Sequence, residues 1–173
     1  MSGERFGTES QTVQISTGDP TSVNDATAQN PLGTVILFKG LKYRYVLFNN
    51  GAGNVASAAN GVAHWFALTP STDPPVFTVT SDQTNAMATI QSVAGIFGGI
   101  VTDLSFCFIQ ISGPAEATVA TATTVGDAVI GGTTDLTFGR IAEATDVRGT
   151  LYGTALTTGT SGTATVLLQN LDW

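Results

Sequence analysis

Phe106-Cys107-Phe108-Ile109-Gln110-Ile111 is the stretch whose reading decides the fold, and it is apolar at every position but Gln110. A strand with one wet face alternates apolar and polar residues. A near-continuous apolar run instead implies burial on both faces, at the centre of a sheet or at a subunit contact. Phe106, Phe108 and Ile109 are therefore the candidates for core or subunit-interface positions. Gly113-Pro114 is expected to end this strand.

Strand signals continue in both directions. Upstream, Val35-Ile36-Leu37-Phe38 and Leu41-Lys42-Tyr43-Arg44-Tyr45-Val46-Leu47-Phe48 flank the two-residue link Lys39-Gly40, the spacing of a tight hairpin. In the second of these strands Lys42 and Arg44 face one way, and Tyr43, Tyr45 and Leu47 the other. Asn49 to Asn54 and Asn60-Gly61 are turns, Val62 to Leu68 is a strand, and Val76 to Thr80 alternates cleanly. A helical turn is compatible with Asp82 to Thr89, and Ser92 to Ile100 reads as strand with a glycine-rich bend. Downstream, short strands around 115–120, 128–130, 138–144, 152–156 and 163–168 are separated by glycine-containing turns.

Composition agrees. The 173 residues include 28 threonines and 20 glycines, while charged residues make up 11% against a usual ~25%. Threonine favours strands and glycine turns, and the long charged residues of exposed helices are scarce. A helical bundle or coiled coil is excluded by that balance. The expected fold is all-β: a compact barrel, tulip-like barrel or sandwich with short helices or none. At ~100–200 residues per domain the length implies one domain. Residues 34–173 form the β-rich domain, as one barrel or as two small lobes split near residue 105.

Residues 1–33 differ from the rest. Thr8 to Ser16 alternates as one short strand with Val13 and Ile15 on one side, and a polar run follows through Asn30-Pro31. So few large apolar residues do not order this segment alone. It is either a loose tail or an extended arm that docks on a partner.

The formal net charge is −7, and the six bases, Arg5, Lys39, Lys42, Arg44, Arg140 and Arg148, are scattered apart from the trio at 39–44. Nucleic-acid binding runs on phosphate neutralisation, so no nucleic-acid partner is expected. The most apolar stretch, Ala86 to Val101, is interrupted by polar residues and falls short of the ~18 residues of a membrane span, so no membrane partner is expected either. The N-terminus lacks the basic start and apolar core of a signal peptide, which points away from an exported pilin or adhesin subunit.

No catalytic constellation emerges. Cys107 is the sole thiol and His64 the sole imidazole, and Cys107 lies in an aromatic-rich run where a buried, inert thiol is expected. One Cys and one His do not make a structural zinc site. Asp103, Asp127, Asp135 and Asp146 lack calcium-loop spacing and keep the company of turn-forming acids. Neither Gly51-Ala52-Gly53-Asn54 nor Gly95-Ile96-Phe97-Gly98-Gly99 completes a nucleotide-binding motif. Catalytic residues, metal ligands and cofactors are all expected to be none. Tyr43, Tyr45, Trp65 and Phe66 read as core rather than as a sugar-binding face, given their alternation on strands.

Several stretches taken in order carry a resemblance. They are Asn30-Pro31-Leu32-Gly33-Thr34-Val35 with Tyr43-Arg44-Tyr45-Val46, and Val79-Thr80-Ser81-Asp82 leading to Val93-Ala94-Gly95-Ile96-Phe97. Next come Val101-Thr102-Asp103 with Phe108-Ile109-Gln110-Ile111-Ser112-Gly113-Pro114, then Val125-Gly126-Asp127. Gly153-Thr154-Ala155-Leu156 and Val166-Leu167-Leu168 close the series. Over residues 30 to 169 the chain resembles the head decoration, or capsid cement, proteins of tailed bacteriophages. Cys107-Phe108 stands where members of that family often carry Gly-Trp.

The resemblance implies a virion structural protein with no catalytic residues. Such a protein is made in the host cytoplasm and bound to the outer capsid surface, where it bridges major capsid protein subunits and stabilises the expanded head. It implies a homotrimer whose N-terminal arms, here through Gln11, Val13 and Ile15, add strands to the capsid. The competing function is a receptor- or carbohydrate-binding β domain of a phage tail or fibre.

Overall fold

The apolar run at 106–111 becomes the first half of a long strand, β6 (Phe106–Val119). The structure, a computed structural model, describes residues 18–66, 77–83, 93–120, 122–132, 135–140, 151–159, 162–169 and 171. Among these, ten strands join one continuous hydrogen-bonded sheet. A 3-10 turn, η1 (Pro20–Ser22), capped by Asp19, precedes them. The all-β expectation therefore holds.

The sheet closes on itself twice. In the first ring, β2 (Leu41–Phe48) pairs in parallel with β4 (Thr78–Thr80), which pairs with β3 (Val62–Trp65). Then β3 pairs with β5 (Val93–Phe97), β5 with β6, and β6 back with β2. In the second ring, β6 pairs with β10 (Gly162–Leu168), and β10 with β9 (Gly153–Ala155). From there β9 pairs with β7 (Ala128–Gly131), β7 with β8 (Phe138–Arg140), and β8 returns in parallel to β6 at Val119–Phe138. Two five-stranded barrels thus share one strand.

The change of barrel occurs inside β6, not in a loop near residue 105. Its pairing with β2 runs to Ser112, and its pairing with β10 starts at Gly113. Gly113-Pro114 therefore bends the strand instead of ending it. Gly113 sits at φ +90°, a region that side chains rarely adopt, and a Cβ there would lie 2.6 Å from Leu41 Cδ2. One hydrophobic cluster fills both barrels, from Val46, Phe48 and Ile109 to Val129, Tyr152 and Leu168. The barrels are bolted together by Val62 N donating to Leu136 O at 3.0 Å and Leu171 N donating to Ile111 O at 3.0 Å.

A second cluster lies on the outer side of the first barrel. Tyr43, Tyr45, Phe108 and Ile36 form it, with Val23, Leu32, Phe38, Leu41 and Phe106 packed against them. The central strands β2 and β6 are thereby buried on both faces, as the unbroken run implies. Ile36 and Phe38 belong to β1 (Val35–Phe38), which folds onto β2 through Lys39 (φ 49°) and Gly40 (φ 82°). Two consecutive positive φ angles make the primed turn that a two-residue hairpin needs. At ~1.5–3 kcal/mol for each large apolar side chain fully removed from water, this outer cluster stabilises the fold substantially alongside the barrel interiors.

Arg44 follows the alternation of its strand, and the face it lies on is an interior one. It shares the inward face of β2 with Val46 and Phe48 and is buried, its guanidinium 5.8 Å from the Trp65 ring centre and 5.6 Å from that of Phe77. Its Nη1 donates to Leu171 O at 3.4 Å. A planar guanidinium stacks on aromatic rings and still donates at its edge, which explains how a cation sits at this barrel.

Candidate interaction surface

The segment from residue 18 to 33 crosses the outer face of the first barrel and is stapled to it. Asp19 accepts from Thr21 N at 3.0 Å and from Thr21 Oγ1 at 2.7 Å. Those two hydrogen bonds hold its carboxyl below the usual carboxylate range. Thr21 lies directly on Gly98 and Gly99, where any Cβ would collide with it. That close crossing is the physical reason for the glycine-rich bend after β5. Asn24 Nδ2 donates to Thr102 Oγ1 at 3.0 Å, and Thr102 N donates back to Asn24 Oδ1 at 3.1 Å. Asp25 and Phe106 exchange both backbone hydrogen bonds, at 2.9 and 2.7 Å. Of the expected arm residues, Gln11, Val13 and Ile15 lie outside the described residues.

The same loop, residues 98–105, presents apolar side chains to solvent. Ile100 is 75% exposed and Leu104 59% exposed. Leu104 also has φ +57°, a conformation costing a non-glycine residue ~1–3 kcal/mol that persists only where the surroundings enforce it. They do so here. Leu104 N donates to Phe48 O at 3.0 Å, Asp103 Oδ1 accepts from Asn50 N at 2.8 Å, and Val101 N donates to Ser57 Oγ at 2.6 Å. The result is a rigid loop that displays two aliphatic side chains beside the point where the N-terminal segment arrives. Sequence reasoning missed this pair, and the only signal was an isolated leucine inside the polar run Thr102-Asp103-Leu104-Ser105.

Phe106, Phe108 and Ile109 all belong to the chain's own packing. Ile109 points into the barrel core, and Phe108 lies 4.9 Å from the Tyr45 ring in the outer cluster. Phe106 packs against that cluster, with its ring 6.0 Å from that of Tyr45. Tyr43 and Tyr45 are buried, and burial raises both phenol pKa values.

Cys107 is buried, and burial pushes its thiol up to about 12, which keeps it protonated and non-nucleophilic at neutral pH. His64 is fully buried on β3, and burial pushes its imidazole down to about 4, with a smaller opposing pull from Asp135. Asp127 and Asp135 each accept a backbone N–H, from Thr124 at 2.7 Å and from Gln83 at 2.9 Å. Asp146 lies outside the described residues. Among the described residues no group of three or more His, Cys, Asp or Glu could hold a metal ion.

These features define the class by architecture: an all-β protein of two barrels sharing a strand, with an N-terminal segment stapled across one of them. Among solved structures it is similar to the N base of the head fiber gp8.5 in bacteriophage phi29. The TM-score is 0.50 at 11% sequence identity, over 74% of this chain and 93% of that one. No protein-family model matches the sequence, and a comparison with curated proteins gives no match.

Proposed function

We propose that this chain is a structural protein of a bacteriophage virion that binds the outer surface of the head as a decoration protein and catalyses no reaction. The observation that carries the reading is the fold shared with the head fiber base, over nearly all of that domain. The rigid Ile100 and Leu104 loop supplies a surface for attachment, beside Thr21 and Asn24 of the N-terminal segment. The N-terminal arm then docks through Gln11, Val13 and Ile15, pairing with an edge strand of the major capsid protein. Association as a homotrimer makes the second and third contacts intramolecular, raising avidity by ~10²–10⁴ and bridging neighbouring capsid subunits.

A carbohydrate-binding tail or fibre domain would display aromatic rings for stacking on sugars. The exposed large apolar side chains among the described residues, from Val35 to Leu167, are all aliphatic.

The test is occupancy on purified heads of the parent virus assembled without this protein. The full chain restores a shell of added density in cryo-electron microscopy. A chain lacking residues 1–17, and separately Leu104→Asp, fold normally yet leave the heads bare. Absence of the full chain from the particles, or undiminished binding by both variants, sinks the reading.

A further inference from the structure

β1 is an edge strand, paired with β2 alone among the described residues. The two-residue loop makes Phe38 and Leu41 a hydrogen-bonded pair, so Ile36 with Tyr43 is the next such pair along the ladder. Tyr45 N donating to Thr34 O at 2.8 Å keeps the same parity. Val35 and Leu37 alternate with these residues, and their N–H and C=O groups point away from β2. Among the described residues no other strand or loop takes up those backbone groups. Their side chains are exposed as well, Val35 at 40% and Leu37 at 72%. Natural edge strands are commonly blunted by a charge, a proline or a bulge within the strand. Apart from being short, Val35-Ile36-Leu37-Phe38 has no such device, and its register with β2 is unbroken.

We infer that the open edge of β1 accepts an extended, acidic segment of a partner protein as an additional strand. This goes beyond attachment through the N-terminal arm: there the chain donates a strand, and here it receives one. Charge selects the occupant. The chain carries −7 overall, yet this hairpin displays Lys39, exposed at its turn, and Lys42, half-buried and directly beside Leu37. Lys39 Nζ lies 5.0 Å from the Phe38 ring centre, which holds its charge at the end of β1. Asp19 feels Lys39 only as the smallest of the influences on its carboxyl, so it competes little for that cation. The net charge repels a carboxylate-rich segment from most of the surface. At β1 the same segment gains backbone hydrogen bonds, apolar contact with Val35 and Leu37, and two cations.

Nuclear magnetic resonance of the isotopically labelled full chain tests this. The probe is a synthetic peptide whose Val-Thr-Val core is flanked on both sides by glutamates, compared with one in which lysines replace the glutamates. In the free chain the amides of Val35 and Leu37 exchange fast with deuterium, while those of Ile36 and Phe38 are protected. The acidic peptide shifts and protects Val35 and Leu37, and binds ~10-fold more tightly than the lysine peptide at low salt, a margin that shrinks as salt is added. Leu37→Asp and Lys39→Glu each weaken its binding ~10-fold, with circular dichroism melting to verify folding, and Val125→Asp in the second barrel leaves it unchanged. Should Leu37→Asp not fold, Lys39→Glu makes the same test. Amides of Val35 and Leu37 already protected in the free chain would show the edge covered by its own chain, and protection that grows with protein concentration would show a second copy there. Either result overturns the inference. So does an acidic peptide that leaves these two amides unmoved, that binds no tighter than its lysine counterpart, or that ignores both folded variants.

Discussion

Tyr45 Oη donates to Asp25 Oδ2 at 3.1 Å and accepts from Gln29 N at 3.1 Å, so one buried phenol clasps the N-terminal segment to the barrel. Tyr45→Phe keeps the ring contacts with Phe106 and Phe108 but removes both hydrogen bonds, for a loss of ~1–2 kcal/mol. The amides of residues 25–29 should exchange with deuterium faster, while those of the β2–β6 ladder keep their protection. Unchanged exchange at 25–29 would show that the clasp contributes nothing.

Gly113 and Gly126 have nearly the same backbone angle, φ +90° and +93°, in different surroundings. A Cβ at Gly113 meets Leu41 at 2.6 Å, whereas one at Gly126 meets nothing within 4 Å. Gly126→Ala therefore reports backbone strain alone, ~1 kcal/mol, and Gly113→Ala adds a collision for ~2–4 kcal/mol in total. Denaturant midpoints of the two variants measure the difference. Equal losses would mean that the bend in β6 tolerates a side chain.

The legible parts of this molecule were those fixed by short-range chemistry. The Lys39-Gly40 hairpin follows from two residues between apolar runs, and the unbroken 106–111 run specifies a strand buried on both faces. What escaped depends on partners remote in sequence. Gly113-Pro114 looks like a stop, because nothing nearby shows that β10 arrives to take over the pairing at that residue. Arg44 follows the alternation of its strand, yet only the approach of Trp65, Phe77 and Leu171 makes its face an interior one. Ile100 and Leu104 carry no periodic signal at all, since their exposure is enforced by hydrogen bonds from residues about fifty positions away. For the arm, Gln11, Val13 and Ile15 are outside the described residues, so the sequence alone speaks for them.

Cys107 gives a probe of global opening. Its thiol is buried and pushed up to about 12, so a disulfide reagent at neutral pH should label native chain only as fast as the barrel unfolds. Burst labelling would place the sulfur in contact with solvent. The unfolded thiol ionises near 9, so stability should also fall as pH rises from 9 toward 12, a decline that Cys107→Ala makes shallower while the buried Tyr43 and Tyr45 phenols supply the rest.

His64 sets an acid limit on stability. Its imidazole is pushed from 6.5 to about 4 by burial, so in the folded chain it stays neutral while the unfolded chain takes up a proton below 6.5. Between those values the unfolded state binds more protons, and stability therefore rises with pH across the window. The contribution is fully present above pH 6.5, is lost progressively as pH falls toward 4, and reaches roughly 3 kcal/mol at its limit. Carboxylates titrate in the lower part of the same range, so the informative quantity is a difference. Urea midpoints of the wild-type chain should drop more steeply from pH 6.5 to 4.5 than those of His64→Gln, which has no proton to take up. Asp135, whose negative charge favours the imidazolium, moderates the effect, and Asp135→Asn should lower the His64 pKa further and steepen the loss. An imidazole seen by NMR to titrate near 6.5 in the folded chain, or parallel pH profiles for wild type and His64→Gln, would show that the buried ring exchanges protons as freely as one in water.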